Sequence, residues 1–248
     1  MVRETPWYTC RFAGFDLETT GIDPHTDRIV TAAVLDIDGA GAREAVSRGW
    51  LLDPGVPIPD GAVEVHGVTT DYAQEHGQDA AEGVADIART LLDLSDSGAI
   101  IVAYNASYDL TMLAAEADRH GHTELAERVR GVRPVVDPKV LDKKVDRYRR
   151  GSRRLVDVAK HYGVKLSEED AHGADADALA AVRVAYKIGN GYEWIGRLSP
   201  GRLHDLQVEW AAEQDAGLKA YWERIGDPRA DTITTGWPIL TTPADGQA

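Results

Sequence analysis

An apolar strand, two acids and a turn follow one another in Arg11-Phe12-Ala13-Gly14-Phe15-Asp16-Leu17-Glu18-Thr19-Thr20-Gly21. The apolar run predicts a β-strand, and the Thr-Thr-Gly segment predicts the turn after it. Successive side chains of a strand point to opposite faces, so Asp16 and Glu18 lie on the same face. Two such carboxylates can share a hard divalent cation. Alone, the pair is weak evidence of a site, because surface strands often end in acids.

Along the rest of the chain, apolar runs alternate with helical patterns. Strands are predicted near residues 9–16, 28–37, 46–53, 99–104 and 134–137, and helices near 79–93, 106–120, 138–147, 153–162 and 173–188. Strands that come first and then alternate with helices are typical of an α/β sheet covered by helices. In open sheets of this kind ligands bind at the carboxyl ends of strands. Asp16 and Glu18 lie at the carboxyl end of the first predicted strand, and Asp109 follows the carboxyl end of the strand at 99–104.

A second acidic motif follows the apolar run 99–104. Asn105 is a good helix N-cap, and Asp109 would then lie in the first turns of the helix, facing back toward the strand ends. Judged by itself, Asp109 could instead be an acid on the solvent-facing side of the helix.

A third acidic motif, His172-Gly173-Ala174-Asp175-Ala176-Asp177, precedes a helical stretch rich in Ala and Val. His172 and Asp177 are five positions apart, which on a continuous helix separates them by roughly 140°. They can meet only if His172 lies on the loop before the helix and Asp177 lies within it. On the residues alone, Asp175 is an alternative to Asp177, and His172 has an alternative as a helix-capping histidine.

Taken in order, these motifs resemble the DEDDh 3′→5′ exonuclease family, which includes the proofreading epsilon subunit of DNA polymerase III, ribonuclease T and oligoribonuclease. The resemblance covers about residues 8–188, and Val65-His66-Gly67-Val68-Thr69 and the segment 136–163 agree with it. It implies a ribonuclease-H-like α/β fold with a mixed five-stranded sheet covered by helices, in which the first three strands are antiparallel. Residues 1–188 would form this domain.

The resemblance also implies a chemistry. Two metal ions, Mg²⁺ or Mn²⁺ as oxygen ligands favour, would be held by Asp16, Glu18, Asp109 and Asp177. Asp16 would bridge both ions, Glu18 and Asp177 would complete one coordination sphere, and Asp109 would act at the other. The implied general base is His172, because a pKa near 6.5 suits proton removal from the attacking water.

Other residues near these motifs are expected to contact the substrate: Leu17, Thr19, Thr20, His66 and Asn105. The alternative for His66 is an ordinary loop histidine before a Thr-capped turn. Asp137, at the end of a short predicted strand, is expected to be structural.

Composition narrows the class of protein. A chain of 248 residues can bury one large core with an appendage. The single cysteine, Cys10, excludes an internal disulfide and suits a reducing cytoplasm. No apolar stretch approaches the ~20 residues of a membrane span. We therefore expect a cytoplasmic protein.

The formal net charge of −14 is unusual for a protein that binds nucleic acid. From Arg128 to Arg154, however, eleven basic residues stand against three acids, a local excess of +8. This run predicts a surface that guides a polyanion, whereas the alternative is a solvated face with internal ion pairs.

Residues 189–248 form a C-terminal extension beyond the resemblance, and four of the six tryptophans lie there. Ser199-Pro200 begins a helical pattern with apolar residues near one face, Leu203, Leu206, Trp210, Leu218, Tyr221 and Ile225. We expect this helix to pack on the core, and the alternative is a docking surface for a partner. The last twenty residues lack periodicity and are expected to be extended.

These features predict a metal-dependent 3′→5′ exonuclease that releases nucleoside monophosphates from single-stranded DNA or frayed 3′ ends in proofreading, repair or DNA metabolism. One alternative is an exoribonuclease acting on small RNA, since the few contacts that read a 2′-OH cannot be located in sequence. The other is a subunit that binds a DNA polymerase or another replication or repair partner and acts mainly as a binding module.

Overall fold

A mixed six-stranded sheet lies at the centre of the computed structural model, which describes residues 5–38, 45–166 and 173–241. Its strands are β1 (Phe12–Thr19), β2 (Ile29–Ile37), β3 (Val46–Asp53), β4 (Gln78–Asp79), β5 (Ile100–Val102) and β6 (Val135–Val136), in the order β4-β3-β2-β1-β5-β6. The pairs β1–β2 and β2–β3 are antiparallel, whereas β4, β5 and β6 join in parallel. The antiparallel start is confirmed. The expected number of strands was one too low, because the two exposed polar residues of β4 carry no strand signal.

Ten α-helices lie within the described ranges. They are α1 (Asp60–His66), α2 (Thr70–His76), α3 (Ala80–Asp96), α4 (Ala106–Arg119), α5 (Thr123–Arg130), α6 (Pro138–Val145), α7 (Leu155–His161), α8 (Ala174–Gly191), α9 (Glu193–Gly196) and α10 (Pro200–Ile225). The sequence did not predict α1, α2, α5 or α9. Each has eight residues or fewer and buries at most two side chains, so its apolar periodicity is weak.

Helix α8 packs unusually close to β1. A Cβ atom at Gly14 would lie 3.0 Å from the Val182 side chain and 3.3 Å from the Ala178 carbonyl oxygen, so glycine at this position permits the approach. Ala178, Ala181 and Ala185 are buried along the helix, and their small side chains suit a short distance between helix and sheet. Gly14 is two residues before Asp16 and shares its face of the strand. The α8 face of β1 is therefore the face that carries the acids.

The first half of α10 covers the outer edge of β6. Gln207 is completely buried: its side-chain amide donates to the carbonyl of Val135 at 3.0 Å, and its side-chain oxygen accepts from the N–H of Asp137 at 2.8 Å. Nδ1 of His204 accepts from the N–H of Val135 at 3.1 Å. Two side chains thus make the hydrogen bonds that a neighbouring strand would make.

The second half of α10 is different. Tyr221 and Ile225 are 48% and 53% exposed, so the apolar face predicted along the whole helix is buried only as far as Ala211. No helix in the described ranges is long and apolar enough to cross a membrane.

After α10 the chain turns back instead of extending away from the core. A 3₁₀ helix at Pro228–Asp231 follows, and Trp237 then packs against the ring of His204 with their centroids 5.0 Å apart. The N–H of Leu240 donates to Oγ1 of Thr111 on α4 at 2.8 Å. Residues 228–241 thus lie against the rest of the fold, and the remaining residues of the predicted extended end, 242–248, lie outside the described ranges.

The Gln207 contacts predict a large effect from a single substitution. Gln207→Leu should lower the free energy of unfolding by about 3 kcal/mol, because it leaves two buried main-chain groups of β6 without partners. Urea unfolding measures this loss. Gln74→Leu, at an exposed position on α2, is the control and should change it by less than about 0.5 kcal/mol. Equal midpoints for the two variants would contradict a structural role for Gln207.

Candidate active site

Three carboxylates from two elements meet at one end of the sheet. Asp16 and Glu18 lie on β1, and Asp177 lies in the first turn of α8. One oxygen atom of each lies within 4.8 Å of the others. The close packing of α8 over Gly14 brings Asp177 to this position.

Asp109, in the first turn of α4, adds a fourth acid and is only 4% exposed. Burial and then the negative charge of Asp109 raise the pKa of Asp16 well above its ordinary value. Burial also raises the pKa of Asp109 itself, against hydrogen bonding from the backbone of Leu17. Burial and the charge of Asp177 raise the pKa of Glu18 from 4.5 to about 8. These shifts show that the four acids interact.

This cluster fits a divalent metal centre. In the described part of the chain no lysine or arginine makes an ion pair with Asp16, Glu18 or Asp109, so their charge is not compensated by a basic side chain. Carboxylate oxygens are the ligands that hard cations prefer, and a bound cation would reverse the repulsion that raises these pKa values. Asp16, Glu18 and Asp177 could hold one ion, and Asp109 lies where it could serve a second.

Asp175 does not belong to the cluster. It is exposed, and its side chain accepts a hydrogen bond from the hydroxyl of Ser47 on β3 at 2.5 Å. The structure thus brings Asp177, and not Asp175, to Asp16 and Glu18. The predicted general base, His172, lies outside the described residues.

Asp137 fixes the start of α4, the helix that carries Asp109. Its carboxylate, 2% exposed, accepts from the N–H groups of Asn105 at 3.1 Å and Ala106 at 3.0 Å, and also from that of Lys139 at 2.8 Å. Asn105 does occupy the N-cap position, but with a left-handed backbone (φ 69°) and no capping hydrogen bond from its side chain. The predicted side-chain cap is therefore wrong, and Asp137 supplies the acceptors instead.

The predicted substrate contacts lie in different surroundings. Leu17 is 7% exposed, and Asn105 accepts from Nζ of Lys139 at 2.9 Å beside the cluster. Thr20 is also buried: its hydroxyl donates to the carboxylate of Asp27 at 3.3 Å and accepts from the N–H of Arg28 at 3.0 Å. The Thr20 side chain is thus used within its own turn.

His66 ends α1, where its Nδ1 accepts from the N–H of Val68 at 3.2 Å. Burial lowers the pKa of its ring. The ring of His66 thus bonds the backbone of the turn that follows α1.

Sequence reasoning missed Tyr108. Its hydroxyl lies 2.7 Å from the hydroxyl of Thr19 and 2.6 Å from the carbonyl oxygen of Gly21, and burial raises its pKa to about 12. Tyr108 thus joins α4 to the turn after β1. The only signal in the sequence was an aromatic residue immediately before Asp109.

Two clefts open beside the acids. The first, the metal-side cleft, has a volume of about 520 Å³ and is lined by residues that include Tyr104, Asn105, Lys139, Lys143, Arg153 and Asp177. The second, the C-terminal cleft, has a volume of about 280 Å³ and lies between α4, α6, α10 and the segment 233–240. Asn105, Lys139 and Lys143 line both clefts.

Most of the basic run is paired within the protein. Arg149 and Arg153 both bind the fully buried carboxylate of Asp142, and Lys144 pairs with Glu213 on α10. Further ion pairs join Arg128 to Asp96, Arg130 to Asp118, Arg133 to Asp205 and Arg154 to Asp157. Most of these positive charges therefore form ion pairs within the protein. Lys139 and Lys143, which line the two clefts, are the unpaired basic residues of the described run that lie nearest the acids.

Comparison with known proteins gives a family match. Residues 13–185 match the exonuclease family named RNase T. Among curated relatives, the PolC-type DNA polymerase III of Lacticaseibacillus paracasei is 26% identical over 180 residues, covering 73% of this chain and 11% of that protein. The DNA polymerase III subunit epsilon-like protein of Rhodobacter capsulatus is 30% identical over 187 residues, covering 75% and 24%. The chain thus spans a quarter or less of these relatives.

Among solved structures, a zinc-bound complex of E. coli ExoI with single-stranded DNA is similar, with a TM-score of 0.64. The match covers 75% of this chain and 42% of that chain at 21% identity. At this identity the similarity supports a shared fold.

The raised pKa values predict how stability depends on pH without metal. Because the folded protein binds a proton at Glu18 that the unfolded chain has released, the stability of the metal-free protein should fall as pH rises from about 4.5 to about 8. Added Mn²⁺ should raise the melting temperature more at pH 8 than at pH 5.5, because it binds the ionised carboxylates. Thermal melts of Glu18→Gln should show a shallower pH dependence, whereas the exposed control Glu64→Gln should follow the wild type. If the melting temperatures of Glu18→Gln and Glu64→Gln changed equally with pH, ionisation of Glu18 would not be linked to stability.

Proposed function

We propose that this chain, which belongs to the RNase T exonuclease family, hydrolyses DNA from the 3′ end and releases nucleoside monophosphates from single strands or frayed ends. The observation that carries the proposal is the meeting of Asp16, Glu18 and Asp177 within 4.8 Å, inside the region that matches the family. Such a cluster is costly to bury and has a physical purpose when it binds cations.

The carboxylates have distinct positions in this reaction. The carboxylate of Asp16 interacts with those of Asp109, Asp177 and Glu18, and we assign it the contact with both cations. Glu18 and Asp177 would complete the ligands of one cation, and Asp109 would serve the other. Two divalent cations, here Mg²⁺ or Mn²⁺, would supply Lewis acidity at the phosphodiester and stabilise the charge on the attacking and leaving oxygens. The protein's part is to hold the acids at fixed positions on β1, α4 and α8.

His172 is proposed as the group that removes the proton from the attacking water. Its support is the spacing of the His172 to Asp177 motif, in which a histidine on the preceding loop can approach an acid in the first turn of α8. Leu17 and Thr19 adjoin Asp16 and Glu18 along β1 and would contact the terminal nucleotide.

The choice of DNA is supported by relatives named as DNA polymerase III proteins and by the similar fold of an ExoI structure that holds single-stranded DNA. A time course on matched DNA and RNA oligomers, single- and double-stranded and labelled at either end, tests it. Mononucleotide release from the 3′ label at the earliest times, with DNA faster than RNA, is expected. Faster hydrolysis of RNA would overturn the DNA assignment but not the exonuclease.

Asp16→Ala should abolish hydrolysis, because it removes the carboxylate shared by both cation positions. Its melting temperature in metal-free buffer should equal or exceed that of the wild type, since repulsion among the remaining acids decreases. Asp175→Ala is the matched control, an exposed acid outside the cluster, and should remain active. Undiminished hydrolysis by purified Asp16→Ala would exclude the proposed site.

His172→Ala should lose about a hundredfold or more in rate, the scale of general-base catalysis, yet still bind Mn²⁺ by calorimetry. In the wild type the rate should rise with pH through the ionisation of the histidine, because only neutral imidazole accepts a proton. This rise should be absent in the variant. Loss of Mn²⁺ binding would instead make His172 a ligand.

A further inference from the structure

We propose that the C-terminal cleft is a second binding site for single-stranded nucleic acid, adjacent to the site of hydrolysis. Phosphates upstream of the cleaved bond would contact Lys139 and Lys143, and bases would pack against Leu218 and Leu240. The inference rests on the proposed function and extends it, because it assigns a substrate-binding role to the C-terminal extension.

The two clefts are adjacent and share three lining residues, Asn105, Lys139 and Lys143. Asp177, one of the clustered acids, lines the metal-side cleft, and Leu218 and Trp237 line the C-terminal cleft. Lys139 and Lys143 line both. A strand whose 3′ end lies at the acids would therefore pass these two lysines before it reaches the extension.

The charges at this junction suit an anion. Lys139 and Lys143 are four residues apart on α6, so they lie on the same face of the helix. Nζ of Lys139 donates to the neutral amide of Asn105 at 2.9 Å, and within the described ranges neither lysine forms an ion pair. The neighbouring Arg149 and Arg153, in contrast, are fixed by buried Asp142. The two lysines remain available to phosphate.

The part of the cleft lining that lies outside the region matching the family includes apolar side chains beside the polar Gln214, Asp215 and Thr234. Leu218 of α10 is 37% exposed, and Trp237 and Leu240 belong to the segment that returns to α4. Ile22, which is 94% exposed and belongs to the turn after β1, also lines the cleft. Apolar and aromatic surfaces beside a basic groove bind single strands with little sequence preference, because every base has a flat apolar face.

Two acids line this cleft, Asp137 and Asp215, and the carboxylate of buried Asp137 already accepts from three backbone N–H groups. Asp215 makes the proposal testable, because removing its charge and removing the lysine charge should change KM in opposite directions. Asp215 of α10 lines the same cleft as the lysines. Its negative charge would repel a phosphate that approaches Lys143. Removing the lysine charge should therefore weaken binding, whereas removing the acid charge should strengthen it.

The test measures KM for a dinucleotide and for a twelve-nucleotide single-stranded DNA at low salt. Lys143→Gln should raise KM for the long strand about fivefold and reduce the slope of log KM against log salt concentration by about 0.7. For the dinucleotide, the ratio of variant to wild-type KM should be smaller. Asp215→Asn should lower KM for the long strand about twofold. Lys187→Gln, an exposed position on α8 outside both clefts, is the control.

The site would be supported if KM rose in Lys143→Gln and fell in Asp215→Asn, and if both changes were larger for the long strand than for the dinucleotide. The site would be overturned if Lys143→Gln and Asp215→Asn had the same KM on the long strand as Lys187→Gln. It would also be overturned if the ratio of variant to wild-type KM were the same for the dinucleotide and the long strand. Thermal melts check the folding of each variant, and if Lys143→Gln fails to fold, the KM of Asp215→Asn decides alone. A wild type that hydrolyses neither substrate would instead refute the proposed function.

Discussion

The close approach of α8 to β1 at Gly14 is the constraint on which the candidate site depends. Without a side chain at this position the helix comes within contact distance of the strand, and Asp177 then reaches Asp16 and Glu18. Four acids gathered in this way repel one another, so the surrounding apolar packing must stabilise an arrangement that electrostatics opposes. Rigid packing of this kind also holds cation ligands in place.

A second connection runs from the C-terminal extension to the same site. Gln207 of α10 holds the backbone of Asp137, whose carboxylate in turn holds the N–H groups of Asn105 and Ala106. Those groups begin α4, which carries Asp109. The extension therefore contributes to the position of an acid that lies on a different helix, through hydrogen bonds between buried partners.

Local periodicity in the sequence was sufficient to predict the main elements and one pair of site residues. The alternation along β1 placed Asp16 and Glu18 on one face, and the apolar runs located β5 and the long helices, as the structure confirms. Contacts between distant residues could not be predicted in this way. Capping of α4 passed from Asn105 to Asp137, thirty-two positions away, because a buried carboxylate offers two acceptors.

Ion pairs seen in the structure also change the interpretation of the basic run at 128–154. The basic run was predicted as a surface for a polyanion, but Asp142 lies inside it and binds two of its arginines. Spacing along the chain does not reveal which charges are buried together. The same limit applies to Thr20, whose buried hydroxyl is used by its own turn.

The covering of β6 by side chains has a consequence for how the protein can associate. Strand edges are where peptides and other chains add to a sheet. At the β6 edge the outward-facing groups of Val135 and Asp137 are already bonded by His204 and Gln207. At the other edge β4 pairs only with Leu52 and Asp53, so, among the described residues, 46–51 of β3 have no neighbouring strand on their outer side. A strand from outside could therefore add to this sheet along β3 but not along β6.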